Sequence, residues 1–213
     1  MAMADPSPMK VSDQVRAIGV GMLGYAFMGK AHANAYRTLA YMTWPPPLSP
    51  ELVLIAGRDQ GAVVEAATRY GFAEAVTNWE AIVSDPRVGL FDNCGPNGLH
   101  AEPTLAAARA GTHVLCEKPL GRDALESFEV WQGVAAAGVV HMCGFNYRFV
   151  PAVRLAREPR APEPARARSN IQTDGHVGPH GADFEDGYRA AEVCDAVIRS
   201  SRSGHREAVS YRG

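Results

Sequence analysis

The chain has no C-x-x-C pair, no apolar run long enough to cross a bilayer and no surplus of positive charge. Its 4 cysteines, Cys94, Cys116, Cys143 and Cys194, are widely spaced. Three of them sit in or beside apolar runs, a usage that suits buried free thiols in a reducing cytoplasm rather than a disulfide framework. A formal net charge of −2 argues against nucleic acid as a principal partner. Without an apolar stretch of about 20 residues, no membrane-spanning helix is expected. Residues 1–13 contain Pro6, Pro8 and two aspartates but no apolar core. They do not read as a secretory signal, and disorder is expected there. The 213 residues, 46% hydrophobic and 21% charged, describe one large globular domain, or one domain with a fragment of another.

The most informative stretch follows the apolar segment Val15–Val20. Gly19, Gly21 and Gly24 form a G-x-G-x-x-G run, with Met22 and Leu23 between them, and a helix-like pattern follows. A strand before and a helix after is the context of a dinucleotide-binding turn. The first glycine allows the tight turn, the second lets backbone N–H groups approach a pyrophosphate, and the third lets helix and strand pack closely. Three glycines also occur in ordinary turns, so the flanking elements carry the reading. An overlapping G-x-x-x-x-G-K run, Gly24 to Lys30, imitates a triphosphate-binding loop. Ala31 stands where that loop needs a hydroxyl for Mg²⁺, and the reading fails.

Strand-like and helix-like segments then alternate, which predicts a parallel sheet with crossover helices. The expected elements are a helix from Leu23 to Leu39, a rigid proline-rich insertion at Trp44–Pro50, and a strand at Glu51–Ala56. Asp59 is placed to cap a helix that Gly71 ends. A short strand near Ala75–Thr77, a helix from Asn78 to before Asp85, and a strand at Leu90–Cys94 come next. A helix stopped by Gly111 precedes a strand at His113–Cys116. Asp123 and Glu126 resemble a capping box that starts a helix closed by Gly138, and Val139–Cys143 is a sixth strand. The fold class is therefore α/β, a doubly wound parallel Rossmann sheet over residues 14–149. Residues 150–182 read as a short helix and linker rich in Pro, Ala, Arg, Gly and His. Residues 183–213 recover helical spacing, with Phe184, Tyr188, Ala191, Val193, Cys194, Val197 and Ile198 favouring one side.

Three further segments lie at carboxyl ends of strands, where open α/β sheets bind ligands. Gly95-Pro96-Asn97-Gly98-Leu99-His100 follows the fourth strand, Glu117-Lys118-Pro119-Leu120 the fifth, and Gly144-Phe145-Asn146-Tyr147-Arg148-Phe149 the sixth. With the glycine run and His32, this set resembles the Gfo/Idh/MocA family of NAD(P)-dependent oxidoreductases over roughly Gln14 to Arg157. The resemblance implies that Lys118 sits beside the nicotinamide and contacts the substrate hydroxyl. A cation there stabilises developing alkoxide as hydride leaves carbon. It also implies that Pro96, Asn97 and His100 line the cofactor ribose, with Glu117 beside them. Asn146 and Arg148 would then enter the cleft. Gly95 replaces the family's usual Thr or Ser. Other readings stand beside these: a surface lysine, a turn and helix cap at Asn97, a salt bridge for Arg148, and a packing role for His32.

Cofactor choice is read at the end of the second strand, where NAD-preferring proteins carry a carboxylate for the adenosine ribose. Gly57 and Arg58 stand there, so NADP is expected in preference to NAD. Asp59 is better explained as the helix cap. The resemblance further implies a sugar or polyol substrate, a cytoplasmic enzyme and a homo-oligomer whose interface lies largely in a second α/β domain. That domain's strands have no counterpart after Phe149, so the chain reads as the start and end of the family joined. His180 is a weak match to the family's catalytic His, with His176 where its Asp partner belongs. These two histidines lack the acids or thiols of a metal set, and no metal is expected. The competing readings are an NADP-dependent sugar or polyol dehydrogenase and a non-catalytic dinucleotide-binding protein. A short-chain dehydrogenase is opposed by the absence of a Tyr-x-x-x-Lys pair.

Overall fold

The computed structural model describes residues 15–153 and 181–212. Six strands, β1 (Ala17–Leu23), β2 (Ser49–Ala56), β3 (Glu74–Val76), β4 (Leu90–Asn93), β5 (His113–Cys116) and β6 (His141–Cys143), form one parallel sheet. Their order is β3-β2-β1-β4-β5-β6, which makes this a Rossmann fold. The order reverses between β1 and β4, and the crevice at their carboxyl ends is the topological switch point.

Helices α1 (Phe27–Met42), α2 (Gln60–Tyr70), α3 (Glu80–Ser84), α4 (Ala101–Arg109) and α5 (Ala124–Ala137) make the crossovers. Apolar side chains leave both faces of the sheet, as a doubly covered parallel sheet requires. Met22 and Ile55 join Ala33 and Val63 under α1 and α2, while Leu54, Phe91, Val114 and Cys116 meet Val130 and Val134 on the other face. Local signals set the ends. Asp59 accepts the Ala62 N–H at 2.8 Å and Asp123 accepts that of Glu126 at 2.8 Å, while Gly71 and Gly138 close their helices in the left-handed conformation. Glu126 departs from the expected capping box: its carboxylate reaches the Arg122 N–H and guanidinium instead.

The last helix, α6 (Phe184–Ser203), starts with a capping box between Asp183 and Asp186 and lies on α5. Its seat is aromatic: Tyr188 stacks on Trp131 at 5.6 Å and meets Phe128 edge-on at 5.1 Å. The buried side of α6 is Phe184, Gly187, Tyr188, Glu192 and Ala196. Val193, Val197 and Ile198, expected on the packed side, are exposed. Cys194 is exposed too, while Cys94, Cys116 and Cys143 are buried free thiols. Residues 151–153 are helical, and residues 154–180 of the expected linker lie outside the described residues.

Candidate functional site

The turn out of β1 stands five residues later than the glycine spacing predicts. Gly19 and Gly21 lie inside β1, and each is needed for close packing rather than for a turn. A methyl built on Gly19 would stand 1.9 Å from the Arg87 carbonyl, and one on Gly21 would stand 2.1 Å from Ile82. Met22 and Leu23, expected in the cofactor loop, are buried strand residues. The turn is Gly24, at φ 94°, whose N–H donates to the Ala56 carbonyl at 2.9 Å. Gly29 is the close-packing position: a methyl there would lie 2.2 Å from the Gly24 carbonyl. Gly24-x-Ala26-x-x-Gly29 thus has the spacing of the fingerprint, with Ala26 at its middle position. Ala26 is also the N-cap of α1 and supplies no capping side chain, and the first turn holds no acid. The orphan N–H groups of that turn therefore open onto the switch point.

Beneath this turn, α1 sends His32 into a buried polar cluster. Its Nδ1–H donates to Asp92 at 2.9 Å and its Nε2–H to Glu117 at 3.2 Å. Tyr36 donates to the same Asp92 at 3.0 Å, and the Cys94 thiol lies 3.4 Å from it. Burial acts to lower the His32 pKa, but the hydrogen bonds and charges of Asp92 and Glu117 outweigh it and raise the value from 6.5 to about 10. His32 is therefore an imidazolium between two carboxylates. Burial, followed by the Asp92 charge, pushes the Tyr36 hydroxyl and the Cys94 thiol upward. The donor atoms of His32, Asp92 and Cys94 lie within 4.8 Å of one another. A cation would have to displace both the imidazolium proton and a thiol proton held well above its usual range. The geometry is that of a hydrogen-bonded ion cluster.

The other expected site residues divide into two groups. Lys118, Pro96, Asn97, Asn146 and Arg58 are exposed at the carboxyl edge of the sheet, with half-exposed Gly95 among them. Lys118 precedes Pro119 through a cis peptide bond, and its backbone N–H donates to Glu117 at 3.2 Å. Gly57 is buried directly after β2. Three residues expected at the cofactor are engaged elsewhere. Glu117 is buried against His32. His100 is buried, with Nδ1 against the Pro119 carbonyl and Nε2 2.9 Å from the Gly95 carbonyl, so it joins the loops after β4 and β5. Arg148 makes a two-pronged ion pair with Asp186, at 2.8 and 2.9 Å, and donates to the Gly181 carbonyl. The salt-bridge reading of Arg148 holds, because α6 returns to the loop after β6. Asn97 does not cap α4: it opens a 3₁₀ turn, while Asn93 donates to Leu99, His100 and Thr104. His176 and His180 lie outside the described residues.

Sequence reasoning missed the Asp92 cluster. A carboxylate in the middle of the apolar strand Leu90-Phe91-Asp92-Asn93 was the available signal, since a charge buried in a central strand demands a partner.

Residues 18–145 match the oxidoreductase family with an NAD-binding Rossmann fold, Gfo/Idh/MocA. The chain belongs to that family. It is 43% identical over 141 residues to levoglucosan dehydrogenase of Pseudarthrobacter phenanthrenivorans, covering 66% of this chain and 36% of that enzyme. It is 38% identical over 133 residues to D-xylose 1-dehydrogenase (NADP(+)) 2 of Haloferax volcanii, covering 62% of this chain and 41% of that enzyme. Levoglucosan dehydrogenase in complex with NADH and levoglucosan superimposes with a TM-score of 0.65 at 43% identity, over 67% of this chain and 39% of that one. The chain thus spans about 36–41% of the length of these relatives. Among the described residues no helix is long and apolar enough to cross a membrane.

Proposed function

We propose that this chain is the dinucleotide-binding part of a cytoplasmic dehydrogenase that takes hydride from a sugar or polyol carbinol and prefers NADP to NAD. The observation that carries the reading is the Gly24–Gly29 turn, which opens α1 at the switch point without an acid in its first turn. Backbone N–H groups of that turn hold the pyrophosphate, and Arg58 meets a 2′-phosphate on the adenosine ribose. The bound dinucleotide supplies the hydride acceptor. Lys118 places its ammonium beside the substrate oxygen, where negative charge develops as the carbinol C–H electron pair departs. The hydroxyl proton passes to a base, for which His180 is the candidate in the tail. His100 and Glu117 act at one remove, by fixing the loops that present Lys118.

A non-catalytic dinucleotide-binding role is the second reading, supported by the described residues forming the dinucleotide-binding fold alone. Titration of the 213-residue protein with NADPH and NADH, followed by intrinsic fluorescence, tests the cofactor assignment. An Arg–phosphate contact contributes about 1.5–3 kcal/mol, so NADPH binds roughly tenfold tighter or better, and Arg58→Ala removes the difference. Equal affinities in the unmodified protein reject the preference. Polyol-dependent reduction of NADP⁺ separates the two functional readings.

A further inference from the structure

The geometry points to Tyr25 as a specificity-determining residue: its ring keeps position 57 free of a side chain and leaves Arg58 to meet the adenosine ribose. This rests on the dinucleotide reading above. In a Rossmann fold the 2′ position of that ribose is read at the end of the second strand. Here β2 ends at Ala56, and the next residue, Gly57, is buried and donates its N–H to the Val76 carbonyl at 3.1 Å. A methyl built on Gly57 would lie 2.0 Å from Cε1 and 2.4 Å from Cδ1 of Tyr25. A carboxylate side chain needs more room still, so an Asp or Glu at 57 conflicts with the ring.

The Tyr25 ring packs against the buried cluster that contains Met22, Ile55 and Tyr70, and its backbone is held on two sides. It follows Gly24, whose N–H is bonded to Ala56, and its own carbonyl accepts the Tyr70 hydroxyl at 2.8 Å from the end of α2. The nearest carboxylate in sequence, Asp59, is turned toward α2, where it caps Ala62. Arg58 is exposed, and no hydrogen bond or ion pair occupies it among the described residues. A guanidinium matches a 2′-phosphate bidentately, and the carboxylate that follows it, Asp59, is engaged through one oxygen at the Ala62 N–H. The discrimination therefore originates one turn away, in the glycine loop, as a steric exclusion.

Four proteins test this by NADPH and NADH titration: the unmodified chain, Gly57→Asp, Tyr25→Ala, and the double variant, each checked for folding by circular dichroism. Gly57→Asp alone weakens both dinucleotides at least tenfold. The double variant restores NADH to within a few-fold of the unmodified protein while NADPH stays weak. Gly57→Asp binding NADH as well as the double variant, or a double variant that keeps the NADPH preference, overturns the assignment. Should Gly57→Asp fail to fold, Gly57→Ala replaces it. That change lowers the melting temperature strongly beside Tyr25 and little beside Tyr25→Ala, and equal losses overturn the proposal. An unmodified protein that binds neither dinucleotide rejects the underlying reading instead.

Discussion

His32 donates from Nε2 to the Glu117 carboxylate at 3.2 Å, so a side chain of the first helix fixes the residue that directly precedes Lys118. Glu117 in turn accepts the Lys118 backbone N–H, and its other contact surface is Gly144, where a methyl would lie 2.6 Å from Oε1. The loop after β5 is therefore gripped from α1, from the loop after β6 and, through His100, from the loop after β4. Such rigid positioning is what the proposed role of Lys118 requires of its scaffold.

The cluster predicts an alkaline loss of stability. His32 has a folded pKa of about 10 against an ordinary 6.5. A raised folded value stabilises fully below pH 6.5, and the contribution is lost as pH rises through about 10. The melting temperature of the unmodified protein should fall between pH 7 and pH 10.5, roughly, and His32→Gln should flatten that slope. At neutral pH the same substitution leaves two buried carboxylates without their cation and costs about 3–5 kcal/mol by chemical denaturation.

Gly29→Ala should separate α1 from the Gly24 carbonyl, because the added methyl would begin 2.2 Å from that oxygen. Overpacking of this kind costs about 1–3 kcal/mol, and dinucleotide affinity should fall with it. Gly98→Ala, which meets nothing within 4 Å, is the matched control for packing and should leave the melting temperature unchanged.

Arg148→Ala is expected to leave dinucleotide affinity unaltered, since the guanidinium is paired with Asp186. Both partners are partly open to solvent, so the lost pair costs about 1 kcal/mol or less. A tenfold loss of NADPH affinity would return Arg148 to the cofactor.

Lys118→Ala should keep the melting temperature of the unmodified protein, because the side chain is exposed. Whatever carbinol oxidation the protein performs should disappear. A large drop in stability together with lost dinucleotide binding would make Lys118 structural.

The 213-residue chain is expected to bind NADPH yet oxidise polyols slowly. The described residues hold one sheet, with no second wall to orient a substrate over the carboxyl edge. Orientation contributes about 7–11 kcal/mol to such reactions, and much of it is forfeited when one wall is missing. Turnover at ordinary dehydrogenase rates would contradict the expectation.

Local chemistry determined the elements. The strand His113–Cys116, the caps Asp59 and Asp123, and the stops Gly71 and Gly138 are readable because each depends on neighbours a few residues away. The alternation of strands and helices likewise implied the parallel sheet. Tertiary structure decided what residues distant in sequence do together. Glycines 19 and 21 are required by Arg87 and Ile82, which approach β1 from the side, and spacing alone cannot distinguish that need from a turn. The true turn carries Ala26 in place of a central glycine, so its pattern was the weaker one on paper. His32 finds its carboxylates 60 and 85 residues away, and that separation kept its charge invisible. The buried side of α6 was chosen by a ring stack on Trp131, which outweighed the aliphatic stripe of Val193, Val197 and Ile198. Periodicity reports which residues share a helix face, whereas packing selects the face that is covered.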